Sequence, residues 1–176
     1  MNKKIKIIML SGAFALFLIL AYFLYSNLSN NYEPDKQDIV TSETKKFALD
    51  FTVLNQQDEK VKLSDFIGKP VVLNFWASWC PPCKSELPDF NEVYNQMNNE
   101  VVFMMVDLVD NQRETMDKAK KFIQSNGYNF PVYFDSERQA AEDYNVSSIP
   151  VTFFINADGE LAGSHKGILK KEELLN

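Results

Sequence analysis

The sequence predicts an α/β domain carried behind one N-terminal apolar helix, and three observations predict it. Val71 to Trp76 is an apolar run of strand length, interrupted only by Asn74, as expected of a strand covered on both faces. From there to the C-terminus strand-like runs alternate with helix-period stretches, the pattern of a sheet with helices packed on it. Residues 7–25, finally, hold no charged side chain at all. With 45% hydrophobic and 24% charged residues among 176, the chain has globular composition and room for one domain plus an appendage. A formal net charge of -6 and the lack of any basic stripe argue against nucleic acid as a partner.

Taken in order, Lys3, Lys4 and Lys6 precede the apolar run from Ile7 to Tyr25. About 19 helical residues at 1.5 Å each span about 28 Å, close to the hydrocarbon thickness of a bilayer. The lysines before it and the Asn- and acid-rich segment after it set the N-terminus in the cytoplasm and the rest outside. A cleaved signal peptide is the competing reading, but Tyr25-Ser26-Asn27 is a poor cleavage site, and no nearby cysteine offers a lipid anchor. The expectation is an uncleaved signal anchor at 1–26, embedded in the lipid bilayer through 7–25, giving a single-pass cell-membrane protein. Residues 27–46 are polar, with too little apolar surface to fold alone, and read as a tether.

The folded domain is expected over 47–176. Phe47, Leu49 and Phe51 alternate with Ala48 and Asp50 as in a half-buried strand, and Val61 and Leu63 form the second strand of a hairpin. Ser64-Asp65-Phe66 makes a helical turn that stops at Gly68. After strand Val71–Trp76, Cys80 to Met97 reads as a helix with Leu87, Phe90, Val93, Tyr94 and Met97 inward. Pro81 and Pro82 fall in its first turn, where a missing N–H is tolerated, and Pro88 should kink its interior. Strand Val101–Leu108 follows, then a helix over Gln112–Asn126 stopped by Gly127, and a short strand at Pro131–Phe134. Asp135-Ser136-Glu137 caps a helix bearing Ala140, Ala141 and Tyr144. Val151–Ile155 and Glu160–His165 pair through an Asn156-Ala157-Asp158-Gly159 turn, and a last helix starts at Lys170.

The chemistry lies at Cys80 and Cys83, the chain's two cysteines. Structural zinc needs further thiols or histidines, and the chain has one His, His165, so no metal is expected. Bridging so short a loop stabilises little, whereas a thiol pair at a helix N-terminus suits disulfide exchange. Orphan N–H groups and the positive end of the helix dipole favour the thiolate of Cys80, the nucleophile. Cys83, a turn later, resolves the mixed disulfide. Pro81 and Pro82 each remove a donor from this turn and so tune the site as well as shape it. No Gly-rich phosphate loop occurs, and no cofactor is expected.

Trp76-Ala77-Ser78-Trp79-Cys80-Pro81-Pro82-Cys83 resembles the thioredoxin-family active site, and the approach from Leu63 to Trp76 is similar to the TlpA/ResA-like branch. The resemblance covers Phe47 to the C-terminus. It implies a thioredoxin fold with an N-terminal β-hairpin and an inserted helix and strand at Gln112–Phe134, preceded by one transmembrane helix. It also implies that Ile149-Pro150 is the family's cis-proline, facing the cysteines and presenting backbone to an extended substrate. Trp79, Pro81, Pro82, Ile149 and Pro150 are thus the expected substrate contacts, with Trp79 shielding the site and Trp76 in the core. Thioredoxins proper carry a buried Asp as proton acceptor where this chain has Asn74, which cannot take a proton. In the TlpA/ResA-like branch an acid beyond the second cysteine, followed two residues later by proline, is associated with the site. Glu86 and Pro88 match. Glu86 is therefore the expected proton shuttle.

The resemblance implies an extracytoplasmic thiol-disulfide oxidoreductase that exchanges disulfides with substrate proteins and draws electrons from a membrane thiol donor. It further implies a reductant, for example in cytochrome c maturation. The alternative direction is a thiol oxidase that introduces disulfides. Peroxidase chemistry needs Pro-x-x-x-Thr-x-x-Cys, and Leu73 and Ala77 stand at the Pro and Thr positions. A non-catalytic, tethered peptide-binding module is the remaining alternative.

Overall fold

The computed structural model describes residues 16–26, 46–97 and 100–175. Residues 16–26 are helical and expose Leu16, Phe17, Leu20 and Phe23. The first half of the expected span and nearly all of the tether lie outside the described residues. Among those described, no helix is long and apolar enough to cross a membrane.

The remaining residues build one mixed seven-stranded sheet: β1 (Thr52–Leu54), β2 (Lys60–Lys62), β3 (Val71–Trp76), β4 (Val102–Asp107), β5 (Val132–Phe134), β6 (Val151–Ile155) and β7 (Leu161–Lys166). Its order is β2-β1-β5-β4-β3-β6-β7. The helices are α1 (Pro81–Met97), α2 (Met116–Asn126), α3 (Gln139–Asp143) and α4 (Lys171–Leu174), with a 3-10 turn at Leu63–Phe66. The inserted α2 and β5 extend the sheet: β5 runs parallel to β4 and antiparallel to β1, joining the N-terminal hairpin to the centre.

Central β3 is buried along its whole length and decides the layering. Side chains alternate along a strand, so Val71, Leu73 and Phe75 enter one core with Met104, Val106 and Phe51. Val72 and Trp76 enter the other with Leu87, Phe90, Phe103 and both cysteines. Asn74 shares the parity of Val72 and Trp76, so it faces the side where α1 packs. β3 and β4 pair in parallel from Val71↔Val102 to Trp76↔Asp107, which brings the loops after both strands to the same edge.

Several boundaries differ from the sequence-based expectation. Regular pairing in the first strand begins only at Thr52; Phe47 makes an isolated bridge to Glu160, and Phe47 and Leu49 are exposed, leaving Phe51 as the buried member. Alternation alone could not tell a strand from an extended approach to one. The first long helix starts at Pro81 rather than Cys80, and it runs on through Pro88 to Met97. The expected helix at Gln112 starts four residues late. Asp110 Oδ1 accepts from the N–H groups of Gln112, Arg113 and Glu114, and this capped loop replaces the first turn. Thr115 is then the N-cap of α2, accepting from the Lys118 N–H, and Gly127 ends the helix at φ 67°. Asp135 caps α3 as expected, accepting from Ala140 and Ala141.

Leu87 carries α1 onto the sheet and has no exposed surface. Leu87→Ala is expected to cost about 2–5 kcal/mol, read as a lower urea midpoint at unchanged denaturant slope.

Candidate active site

The site forms where β3 ends and α1 begins. The chain turns at Ala77–Trp79, with the Cys80 N–H donating to the Ala77 carbonyl at 3.1 Å. Pro81 and Pro82 have no N–H, so the first donor of α1 is that of Cys83. It points at the Cys80 sulfur, 3.3 Å away. The sulfur thus occupies the N-cap acceptor position, at the positive end of α1. Cys80 and Cys83 are joined by a disulfide, with Cα atoms 5.3 Å apart. Both are buried, Cys80 at 2% exposure and Cys83 at 0%.

The second wall comes from the loop before β6. The Ile149-Pro150 bond is cis, and the Ile149 carbonyl oxygen lies 3.7 Å from the Cys80 sulfur. Between the two loops runs a groove of about 370 Å³ lined by Trp79, Cys80, Pro81, Pro82 and Ile149, with Leu108, Asp110, Arg138 and residues 146–148 completing it. Of the expected contact residues, Pro150 alone is not on the groove wall; it is buried, and its carbonyl accepts from Gly167.

Three residues after Cys83 on α1 lies Glu86, with no exposed surface. One carboxylate oxygen accepts from Asn74 Nδ2 at 2.9 Å, the other from the Leu169 N–H at 2.9 Å. Asn74 Nδ2 also reaches Thr152 Oγ1 at 3.0 Å. Burial raises the Glu86 pKa from 4.5 to about 7, against the lowering effects of the Leu169 and Asn74 hydrogen bonds and of nearby Lys170. The amide at position 74 takes no proton itself but grips the carboxyl that does.

Sequence reasoning missed a second acidic group behind the turn. Glu114 is buried, and its carboxylate accepts from the Ser78 N–H at 2.9 Å and from Ser78 Oγ at 2.8–2.9 Å. Arg113, its neighbour, stacks on Trp79 with its guanidinium carbon 3.6 Å from the ring centroid. Asp107, in register with Trp76, is buried with neither oxygen hydrogen-bonded; burial, then the charges of Glu114 and Asp110, push its pKa up to about 9, so it is neutral at pH 7. The signal was there: parallel strands deliver their following loops to one edge, so the acids of 107–114 fall beside the motif. Among the described residues no cluster of ligating side chains fits a metal ion.

A family model described as AhpC/TSA family matches residues 44–164. A thiol-disulfide oxidoreductase named ResA from Geobacillus kaustophilus is 31% identical over 99% of this chain and 95% of its own length. Among solved structures, StoA from Bacillus subtilis superposes with TM-score 0.63 at 31% identity, over 72% of this chain and 93% of that one. The exposed lipoprotein thioredoxin of Streptococcus pneumoniae gives 0.64 at 32% identity, over 72% and 96%.

The raised pKa of Glu86 has a sign that can be tested. The unfolded carboxyl loses its proton near pH 4.5 and the folded one near 7. The stabilising contribution of the folded state's extra proton is therefore complete below pH 4.5 and is lost as pH rises through 7. Glu86→Gln is expected to flatten the fall in stability across that window, measured by chemical denaturation at each pH. Asn74→Leu removes a donor to the carboxylate and should move the Glu86 midpoint above 7, read by NMR of the side-chain carboxyl carbon.

Proposed function

The chain belongs to the AhpC/TSA thioredoxin-like family, among its ResA-type thiol-disulfide oxidoreductases, and on that premise we propose that it reduces disulfides of substrate proteins through Cys80 and Cys83. The observation that carries this reading is the seat of the Cys80 sulfur, between the α1 N-terminus and a groove open to an extended chain. In the reduced protein the Cys80 thiolate attacks one sulfur of a substrate disulfide, and the other substrate sulfur leaves as a thiolate. Cys83 then attacks the Cys80 sulfur of the mixed disulfide. The second substrate thiolate departs and the Cys80–Cys83 disulfide remains, two electrons having passed to the substrate.

Cys83 must lose its proton for the second step. Glu86 follows it by three residues on the same helix face and titrates near neutrality, so it is suited to take that proton and return it in the reverse reaction. The groove residues Trp79, Pro81, Pro82 and Ile149 hold the substrate chain, with Pro150 fixing the Ile149 carbonyl beside Cys80. At the Pro and Thr positions of the peroxidase motif, Leu73 and Ala77 are buried apolar residues, which favours disulfide exchange over peroxide chemistry.

The uncharged run at 7–25, with lysines before it, supports a location at the membrane. Residues 1–26 act as a signal anchor through the lipid bilayer, 27–46 as a tether, and 47–176 as the catalytic domain outside the cell membrane. There the substrates are disulfide-bearing proteins, apoproteins of c-type cytochromes being one class, and a membrane thiol carrier regenerates the pair.

Cys80→Ser is expected to abolish exchange, while Cys83→Ser should accumulate a mixed disulfide with substrate, visible as a reducible adduct on gels. Equilibration against glutathione tests the direction. A potential near about -250 mV supports a reductant, and one near about -120 mV means an oxidant instead.

A further inference from the structure

The loop between β4 and α2 does more than connect them. Its acid Asp110 binds three successive N–H groups, those of residues 112 to 114, and Lys118 Nζ donates to the Arg113 carbonyl at 2.8 Å. The backbone of Arg113 is thus held from both sides. Glu114 is buried under the turn and bound to both polar groups of Ser78, the residue before Trp79. The Arg113 guanidinium then lies on the Trp79 ring. Trp79 lines the groove beside Cys80, whereas Arg113 does not. One covering of the indole is therefore a side chain whose backbone is anchored, and the ring itself forms wall.

We propose that Arg113, held by the Asp110 and Glu114 anchors, is a positioning residue that fixes Trp79 as a rigid wall of the groove and so sets how well a protein chain is held against Cys80. The proposal rests on the groove being the substrate site. An indole that must be ordered at each encounter costs binding; one already stacked under a planar cation does not. The effect belongs to substrates long enough to lie along the wall. A small dithiol reaches the sulfur without it.

The test compares the full chain with Arg113→Ala and Arg113→Lys. Arg113 is exposed, so its replacement leaves the core intact. Each variant, reduced, is given insulin as a protein disulfide, and, oxidised, is given dithiothreitol. Arg113→Ala is expected to raise KM for insulin about two- to five-fold, the size of an exposed cation–π contact, with kcat altered less than two-fold. The dithiothreitol rate should stay within two-fold, and tryptophan emission should shift to the red. Arg113→Lys keeps a cation at the ring and should recover part of the loss. An unchanged or lower KM, or a dithiothreitol rate that falls in step, overturns the proposal. If the unaltered chain exchanged with dithiothreitol but with neither insulin nor an oxidised apocytochrome c, the groove would not be the substrate site and the function proposed above would fail with it. Exchange with dithiothreitol and a protein disulfide, but no KM effect, fails the positioning role alone.

Discussion

One buried carboxyl ties the site to the fold. Glu86 sits on α1 three residues after Cys83, yet its hydrogen bonds run to Asn74 on β3 and to the backbone of Leu169 before α4. Asn74 passes the link on to Thr152 of β6. A charge in such a place is costly unless it is met by donors, and the donors come from elements far apart in sequence. The same burial that makes the network necessary for packing brings the group's titration to neutrality, where a proton acceptor is useful. Structure and chemistry here draw on the same bonds.

Around that link the C-terminal segment is held in two further ways. Lys170 pairs with Asp89, and Lys171 with Glu92, both acids on α1. Such surface pairs add little by themselves. Their geometric effect is larger, because the short α4 is kept where the Leu169 N–H can reach the carboxylate beneath it.

Much of the centre was legible in the sequence, and the reasons are physical. Val71–Trp76 is read correctly because a strand covered on both faces has no polar face to confuse it, and Cys80, Pro81, Pro82 and Cys83 can be set at a helix start from proline chemistry alone. Ile149-Pro150 was reached only through the resemblance; spacing does not say that a peptide bond is cis. The edges were less legible. Phe47 and Leu49 alternate as a strand would, but whether a partner strand lies alongside is a tertiary matter. The 107–115 stretch read as strand end and helix start, since a carboxylate that caps its own loop looks like one that caps a helix. Glu114 finding Ser78 requires the parallel register of β3 and β4, a fact about three dimensions.

That register has an evolutionary reading. The cysteines and their helix are seated on the central strands, whereas the loop after β4 joins the site through a buried anchor, Glu114 under Ser78, and carries residues 110–113 at the surface. Its exposed part, where Arg113 lies, can change while Glu114 keeps Ser78 and the turn before Cys80 in place. The plan thus separates a sheet-borne sulfur site from a surface loop that can vary around a buried pin.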